Sequence, residues 1–305
     1  MSRTEEFEEL RPLLFSLAYR LLGSVAEAED AVQEAWLRYE TTPVLPTSPK
    51  AFLSTVVTRI SIDVLRSARV RREQYVGEWL PEPLLTDPYE DPARSMELAD
   101  SVSMAALVLL ERLSPLERAV FVLREVFGYH YADVAEAVGR SEAACRQLLV
   151  RARRHMDSGR PRFEADRQAR DALAARFFDA FRNGDVEGLR DVLAADVEMV
   201  GDAGGKAPSL GRVVVGADKV APLLASLFPR LARIGATLDL RTVNGQPGAL
   251  LRDREGKVAF TLALDVRGGE IHTLRSIGNP DKLGHLGPVA DAWELQRDFR
   301  AARED

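Results

Sequence analysis

Ten arginines in two short stretches carry the clearest chemistry of this sequence. RISIDVLRSARVRR (59–72) sets Arg59, Arg66, Arg69, Arg71 and Arg72 against one aspartate, and RSEAACRQLLVRARRH (140–155) sets five arginines against one glutamate. Each island is +4 in a first half, residues 1–157, with 19 basic and 25 acidic side chains. The remainder is neutral, so the whole chain stands at −6. Contact with phosphate follows local charge and not the net figure, so an acidic total does not exclude nucleic acid.

The second island sits on a pattern that would present it. A short helix is predicted over 131–138, Gly139 suits a tight turn, and Ser141 caps a helix to about Met156. Two helices with a glycine-bearing turn, the second strongly basic, form a helix-turn-helix pattern. Arg146, Gln147, Val150 and Arg151 then offer a mixture of base-edge and phosphate-binding types. Arg153 and Arg154 read as phosphate clamps or as plain surface charges, and Cys145 as a small residue packed into the helix interface. The first island falls on the C-terminal half of a helix from about Pro49 to Arg72, where its charge suits the negative end of the dipole. Phe52, Val56, Ile60 and Val64 form the apolar stripe of that helix.

Further elements position these two. Phe7, Leu10, Leu14, Leu17 and Leu21 recur at helical spacing, with a break or the first turn of a second helix expected at Pro12. Gly23 and the capping box Ser24–Glu27 open a second helix that buries Val25, Ala28, Val32, Ala35 and Tyr39 and leaves Asp30, Gln33 and Glu34 on its polar face. Residues 77–94 carry four prolines among several acids and read as an extended linker, in which Trp79-Leu80-Pro81 is apolar and stiff. That segment is either a local staple onto a neighbouring helix or a docking segment for another domain. A second capping box, Ser114 to Glu117 with Pro115, starts a helix that Gly128 ends.

Past residue 166 the pattern changes to two helices, then strand-like runs with one more helix at 217–228, and a last helix at about 288–303. Asn244-Gly245, Glu255-Gly256 and Gly268-Gly269 mark hairpin turns. The expected architecture is multidomain: all-α modules at 1–76 and 95–157 joined by the 77–94 linker, an α+β domain at 166–283 with a curved antiparallel sheet, and a helical tail at 284–305.

Composition narrows the function classes. With 46% hydrophobic and 29% charged residues the chain is an ordinary globular one. No apolar run approaches a membrane span, and the acidic start is unlike a signal peptide, so a cytoplasmic protein without a membrane partner is expected. One cysteine and four histidines give no metal cluster, and no metal or cofactor is expected. All six tyrosines precede residue 132, so the α+β part lacks the phenol of an isomerase site, and His272 and Asp239 read as surface or structural residues.

The blocks DAVQEAWLRY (30–39), AFLSTVVTRISIDVLRSARVRRE (51–73) and residues 113–156 together resemble the extracytoplasmic-function sigma factors of bacterial RNA polymerase. The resemblance implies that Asp30, Gln33 and Glu34 dock on the β′ clamp helices of core polymerase, that the arginines of 59–72 melt and read the minus-ten promoter element, and that the helix-turn-helix reads minus-thirty-five. Many members of the wider family carry asparagine where Arg59 stands.

The second half resembles the SnoaL-like branch of the nuclear-transport-factor-two-like (NTF2-like) cone fold. WLPEP (Trp79, Leu80, Pro81, Glu82, Pro83), DAGGK (Asp202, Gly204, Gly205, Lys206) and NPDKL (Asn279, Pro280, Asp281, Lys282, Leu283) resemble three short motifs of the sigma factors that carry this domain. DAGGK departs from the usual glycine at Ala203, where a side chain would restrict the loop. The match implies an attached, non-enzymatic regulator, with room for a small ligand of unknown identity. Rival classes are a helix-turn-helix regulator with a ligand-sensing domain, and a SnoaL-like cyclase or isomerase fused to a DNA-binding module.

Overall fold

The Ser2 hydroxyl accepts from the Glu5 N–H, and the Glu5 carboxylate accepts from the Ser2 N–H at 2.8 Å, so α1 (Arg3–Leu22) begins from a full capping box. It ends at Gly23, left-handed at φ 67°. The break expected at Pro12 does not occur. Proline frees only the carbonyl four residues back, and Glu8 lies on the exposed face where water can reach it. From Leu13 to Leu22 every residue is buried, so packing on several sides holds the helix straight through.

In this computed structural model the described residues are 2–89, 91, 93, 98, 101–157, 167–209 and 211–302, and the side chains of 68–73 and 157 lie outside the description. The chain divides into two units: Met1–Gln74 with Asp87–Arg160, and Tyr75–Thr86 with Pro161–Asp305. Residues 77–94, expected as one linker, therefore belong to two bodies, with 75–86 built into the second. The reason is burial, since Leu80 through Leu84 are all buried there.

In the first unit α1 packs on α2 (Val25–Thr41) and α3 (Pro49–Glu73), and α3 in turn packs on α5 (Pro115–Phe121) and α6 (Tyr131–Val138). The α3 stripe is rotated from the expected one. Leu53, Val57, Ser61 and Leu65 are buried with Ser54, Thr58 and Ile62, while Phe52, Ile60 and Val64 are half-buried. A helix packed on two sides buries small polar residues that a search for one apolar face passes over. After α4 (Met104–Leu110), α5 opens from the Ser114–Glu117 box and widens into a π turn (Val122–Val126) ended by Gly128 at φ 71°. Gly139 (φ 62°) then turns the chain from α6 into α7 (Glu142–Asp157).

The second unit has the expected α+β order. Helices α8 (Arg167–Asn183), α9 (Val186–Arg190) and α10 (Ala217–Arg233) cover a six-stranded sheet of order β2-β1-β6-β5-β4-β3. The strands are β1 (Leu193–Asp202), β2 (Val214–Val215), β3 (Thr237–Val243), β4 (Gln246–Arg252), β5 (Val258–Arg267) and β6 (Glu270–Ile277). The sheet is not wholly antiparallel, because β1 and β6 run parallel. The crossover through α10 carries the chain to the far edge, and the β3-to-β6 meander returns it beside β1. Phe177 and Phe181 stack at 6.0 Å between ring centres, and Phe228 lies 5.5 Å from Phe181, joining α8 to α10 over the sheet. A last helix, α11 (Ala292–Ala301), is capped by Asp291 and contains no fully buried residue.

Candidate functional site

On α7 the residues Cys145, Leu149, Ala152 and Met156 are buried at helical spacing. That pattern turns Arg146, Gln147, Val150, Arg151 and Arg154 out together on an exposed face. The Ser141 hydroxyl accepts from the Ala144 N–H at 3.2 Å and fixes the start of the helix. Arg146 pairs with Glu142 at 2.7 Å and lies over the Tyr131 ring at 4.7 Å, which aims its guanidinium. Arg153 pairs with Glu125 at 2.9 Å, whereas among the described residues Arg151 has only a long ion-pair contact of 3.9 Å, to Glu117. Cys145 is a packed core residue whose thiol is pushed up by burial.

The first island lies differently. Arg59 donates to the Glu136 carbonyl at 2.7 Å and the Ala137 carbonyl at 3.2 Å. These are carbonyls of the last turn of α6, the first helix of the helix-turn-helix, where a cation is favoured. One turn earlier Ser54 and Tyr129 share a hydrogen bond at 2.6 Å, and burial pushes the Tyr129 phenol up to about 12. Arg66 makes a 3.1 Å pair with Asp63 on the exposed face of α3. Arg69, Arg71 and Arg72 lie on α3, but their side chains fall outside the described residues.

Two buried arginines complete this unit. Arg20 donates to Asp87 (2.7 Å), Ser101 Oγ (2.7 Å) and the Leu98 carbonyl (2.8 Å), with Phe127 5.5 Å beneath its guanidinium. Arg118 donates to the Leu21 carbonyl at 2.8 Å and to Glu111 at 2.6 Å, and burial pushes its guanidinium down to about 9. On α2, Asp30 and Gln33 are exposed and Glu34 pairs with Arg38 at 2.8 Å. Leu37 completes the same stripe, three residues after Glu34, with 49% of its surface exposed.

The second unit brings WLPEP, DAGGK and NPDKL together. The Asp202 carboxylate, buried at the end of β1, accepts from the Leu80 backbone N–H at 2.8 Å, from the Tyr75 hydroxyl, and from Lys282 Nζ at 2.7 Å. Lys282 also donates to the Leu80 carbonyl and stands over the Trp79 ring at 4.3 Å. Asn279 donates from its side-chain amide to the Tyr75 oxygen at 2.7 Å, and the backbone N–H groups of Gly278 and Asn279 donate to the Asp202 carbonyl. Burial and the neighbouring Asp202 together raise the Tyr75 phenol well above its ordinary range.

Gly204 and Gly205 (φ 56° and 70°) make the turn of DAGGK. A Cβ at Gly204 would meet the Tyr75 hydroxyl at 2.8 Å, so the glycine lets the linker pass. Ala203 imposes no restriction, since Asn244 is the sole non-glycine with positive φ among the described residues. Lys206 pairs with Asp281 outside the node, Leu283 is buried beneath it, and Pro280 opens the short helical turn Pro280–Lys282. Further along the linker, His285 bonds the Pro83 carbonyl at 2.6 Å, and Leu84 exchanges two hydrogen bonds with Asn244, at 2.7 and 2.9 Å.

Beside this node lies a cavity of about 360 Å³, lined mainly by apolar side chains such as Phe181, Met199, Leu224 and Phe260. Asp202 is the carboxylate on its lining, and all its partners above come from the linker or NPDKL. His272 and Asp239 do not line it: His272 faces Asp196 at 3.9 Å, and Asp239 faces Arg241 and Arg252.

Comparison with known proteins reads the first unit the same way. Residues 7–71 match Sigma-70 region 2 and residues 103–156 match Sigma-70, region 4. The chain is 42% identical to ECF RNA polymerase sigma factor SigJ of Mycobacterium tuberculosis, over 91% of this chain and 92% of that one. This chain belongs to the extracytoplasmic-function RNA polymerase sigma factors. Probable ECF RNA polymerase sigma factor SigI of Mycobacterium tuberculosis is 35% identical over 90% of the present sigma factor and 93% of its own length. The crystal structure of SigJ superposes with a TM-score of 0.72 at 38% identity, covering 92% of this chain and 98% of that one. The similarity thus spans the α+β unit as well as the helical one.

Several residues of this sigma factor escape a motif search. Tyr75, Asn244 and His285 hold the linker from outside the three motifs, and Arg20 and Arg118 anchor the helical unit from the inside. Leu37 alone left a sequence signal: an apolar residue on the polar face of α2.

Proposed function

We propose that this sigma factor joins core RNA polymerase through the α2 face of Asp30, Gln33, Glu34 and Leu37, and reads promoter DNA with its two arginine-rich helices. The exposed face of α7 would enter the minus-thirty-five major groove, with Arg146 and Gln147 toward base edges and Arg151, Arg153 and Arg154 toward phosphates. The arginines of α3 would hold the minus-ten strand backbone while bases are captured unstacked.

The second unit acts as a regulator rather than an enzyme. The observation that carries this is the grip of Asp202 and Lys282 on Leu80. The segment Tyr75–Thr86 is the connection between the two promoter-reading modules, and a connection held along its length cannot be paid out to separate them. Arg59 supports a resting role for this arrangement, because its donors are engaged by carbonyls of α6 and must be released before they can hold DNA. An isomerase reading is disfavoured by the satisfied carboxylate of Asp202.

Co-purification tests the proposal. Core polymerase is expected to be retained by the intact chain and lost with Asp30→Ala plus Glu34→Ala. Retention unaffected by the double substitution would remove α2 from the interface, and duplex DNA binding without any polymerase association would favour an ordinary helix-turn-helix regulator.

A further inference from the structure

The cavity of the second unit and the grip on the linker share one loop. Asp202 holds Leu80 and Tyr75, while Ala203, Ala207 and Pro208, the next turns of the same loop, form part of the cavity wall. α11 contributes Leu295, Gln296 and Phe299 to the same lining. α11 is held by Leu295 and Phe299 packed against the core and by exposed ion pairs from Arg254 to Glu294 and Asp298, both at 3.6 Å, which contribute little in water. An apolar chamber is thus lined both by α11 and by the loop that grips the linker.

The charges on the lining point to the kind of occupant. Arg230 is half-buried on the wall, stacked on Phe299 at 5.0 Å, and has no ion-pair partner among the described residues. Asp202, the carboxylate on the lining, is already neutralised by Lys282 at 2.7 Å. An apolar volume with one uncompensated guanidinium favours an apolar body carrying a single carboxylate, since burying that anion beside Arg230 satisfies both. We infer that the cavity is a binding site for a small amphipathic carboxylate, such as a medium-chain fatty acid, and that its occupancy is transmitted through the 202–208 loop to the linker. The transmission deepens the regulatory role proposed above; the binding does not depend on it.

Decanoate and 1-decanol, titrated calorimetrically into the full-length chain, test the site without polymerase or DNA. Decanoate is expected to bind saturably at one site, about tenfold more tightly than decanol, the size of one charge-assisted hydrogen bond. Arg230→Gln should bring decanoate down to the level of decanol. Leu227→Trp, which fills the chamber from a half-buried position, should weaken both. Equal affinity for the two probes, a decanoate affinity left unchanged by either substitution, or no saturable binding would overturn the site. Amide hydrogen exchange of residues 79–84 reads the coupling: decanoate should change it several-fold in the natural chain and not in Leu227→Trp. Binding with unchanged exchange would reject the coupling while leaving the sigma-factor assignment untouched.

Discussion

The Leu80 backbone N–H points into the Asp202 carboxylate at 2.8 Å, across 122 residues of chain. A buried carboxylate that also holds Tyr75 and Lys282 leaves three stranded polar groups when removed. Asp202→Ala should therefore cost the second unit about 3–5 kcal/mol. Amide exchange at residues 79–84 is the measurement, because a two-unit chain does not unfold in one step. Those amides should lose most of their protection, and promoter-directed transcription should rise as the linker is freed.

Tyr75 is the one tyrosine of the second unit, so its ionisation can be isolated by difference. Its phenol is raised by burial first and by Asp202 second. A raised phenol stabilises the fold fully below its unfolded pKa near 10, and the contribution is lost as pH climbs through the folded value. The tyrosinate absorbance of the natural chain minus Tyr75→Phe is expected to appear well above pH 10.

Arg59 and Tyr129 both join α3 to the helix-turn-helix segment, but only Arg59 carries a charge that the proposed function assigns to DNA. Tyr129→Phe removes the hydrogen bond to buried Ser54, at a cost of about 1–2 kcal/mol. It should loosen the modules and speed initiation in a single-round transcription assay. Arg59→Ala loosens the same joint, yet should slow promoter opening because the phosphate contact is lost with it.

On α7 the roles separate by salt. Gln147→Ala should cost about 1–3 kcal/mol at one position of the minus-thirty-five element and relax specificity there. Arg154→Ala should weaken binding to all sequences and lower the slope of affinity against salt by about one ion. Fluorescence anisotropy over a salt series distinguishes the two.

Leu37, half exposed on α2, should transfer about 1 kcal/mol of apolar burial to the polymerase interface. Leu37→Ser is expected to weaken core binding about fivefold, in a surface-binding measurement, without altering thermal stability.

Local chemistry made much of this fold legible from sequence. Gly23, Gly139 and the Ser114–Glu117 box fix their helix ends within a few residues of chain, and Asn244-Gly245 fixes its hairpin in the same way. Pro12 misled because burial around Leu13–Leu22 outweighs one missing hydrogen bond. The α3 stripe misled because packing on two sides leaves no single apolar face. The three short motifs were visible as motifs, but their meeting at Asp202 was not, since Tyr75 and Asn279 stand 204 residues apart and no periodicity links them.

Start-site mapping with purified core polymerase, the full-length chain and a library of promoter fragments bears most directly on the whole account. Discrete starts are expected downstream of paired elements, absent when core polymerase is supplied alone and more abundant with Asp202→Ala. Failure of the chain and of Asp202→Ala alike to associate with core polymerase or to produce any specific start would contradict it.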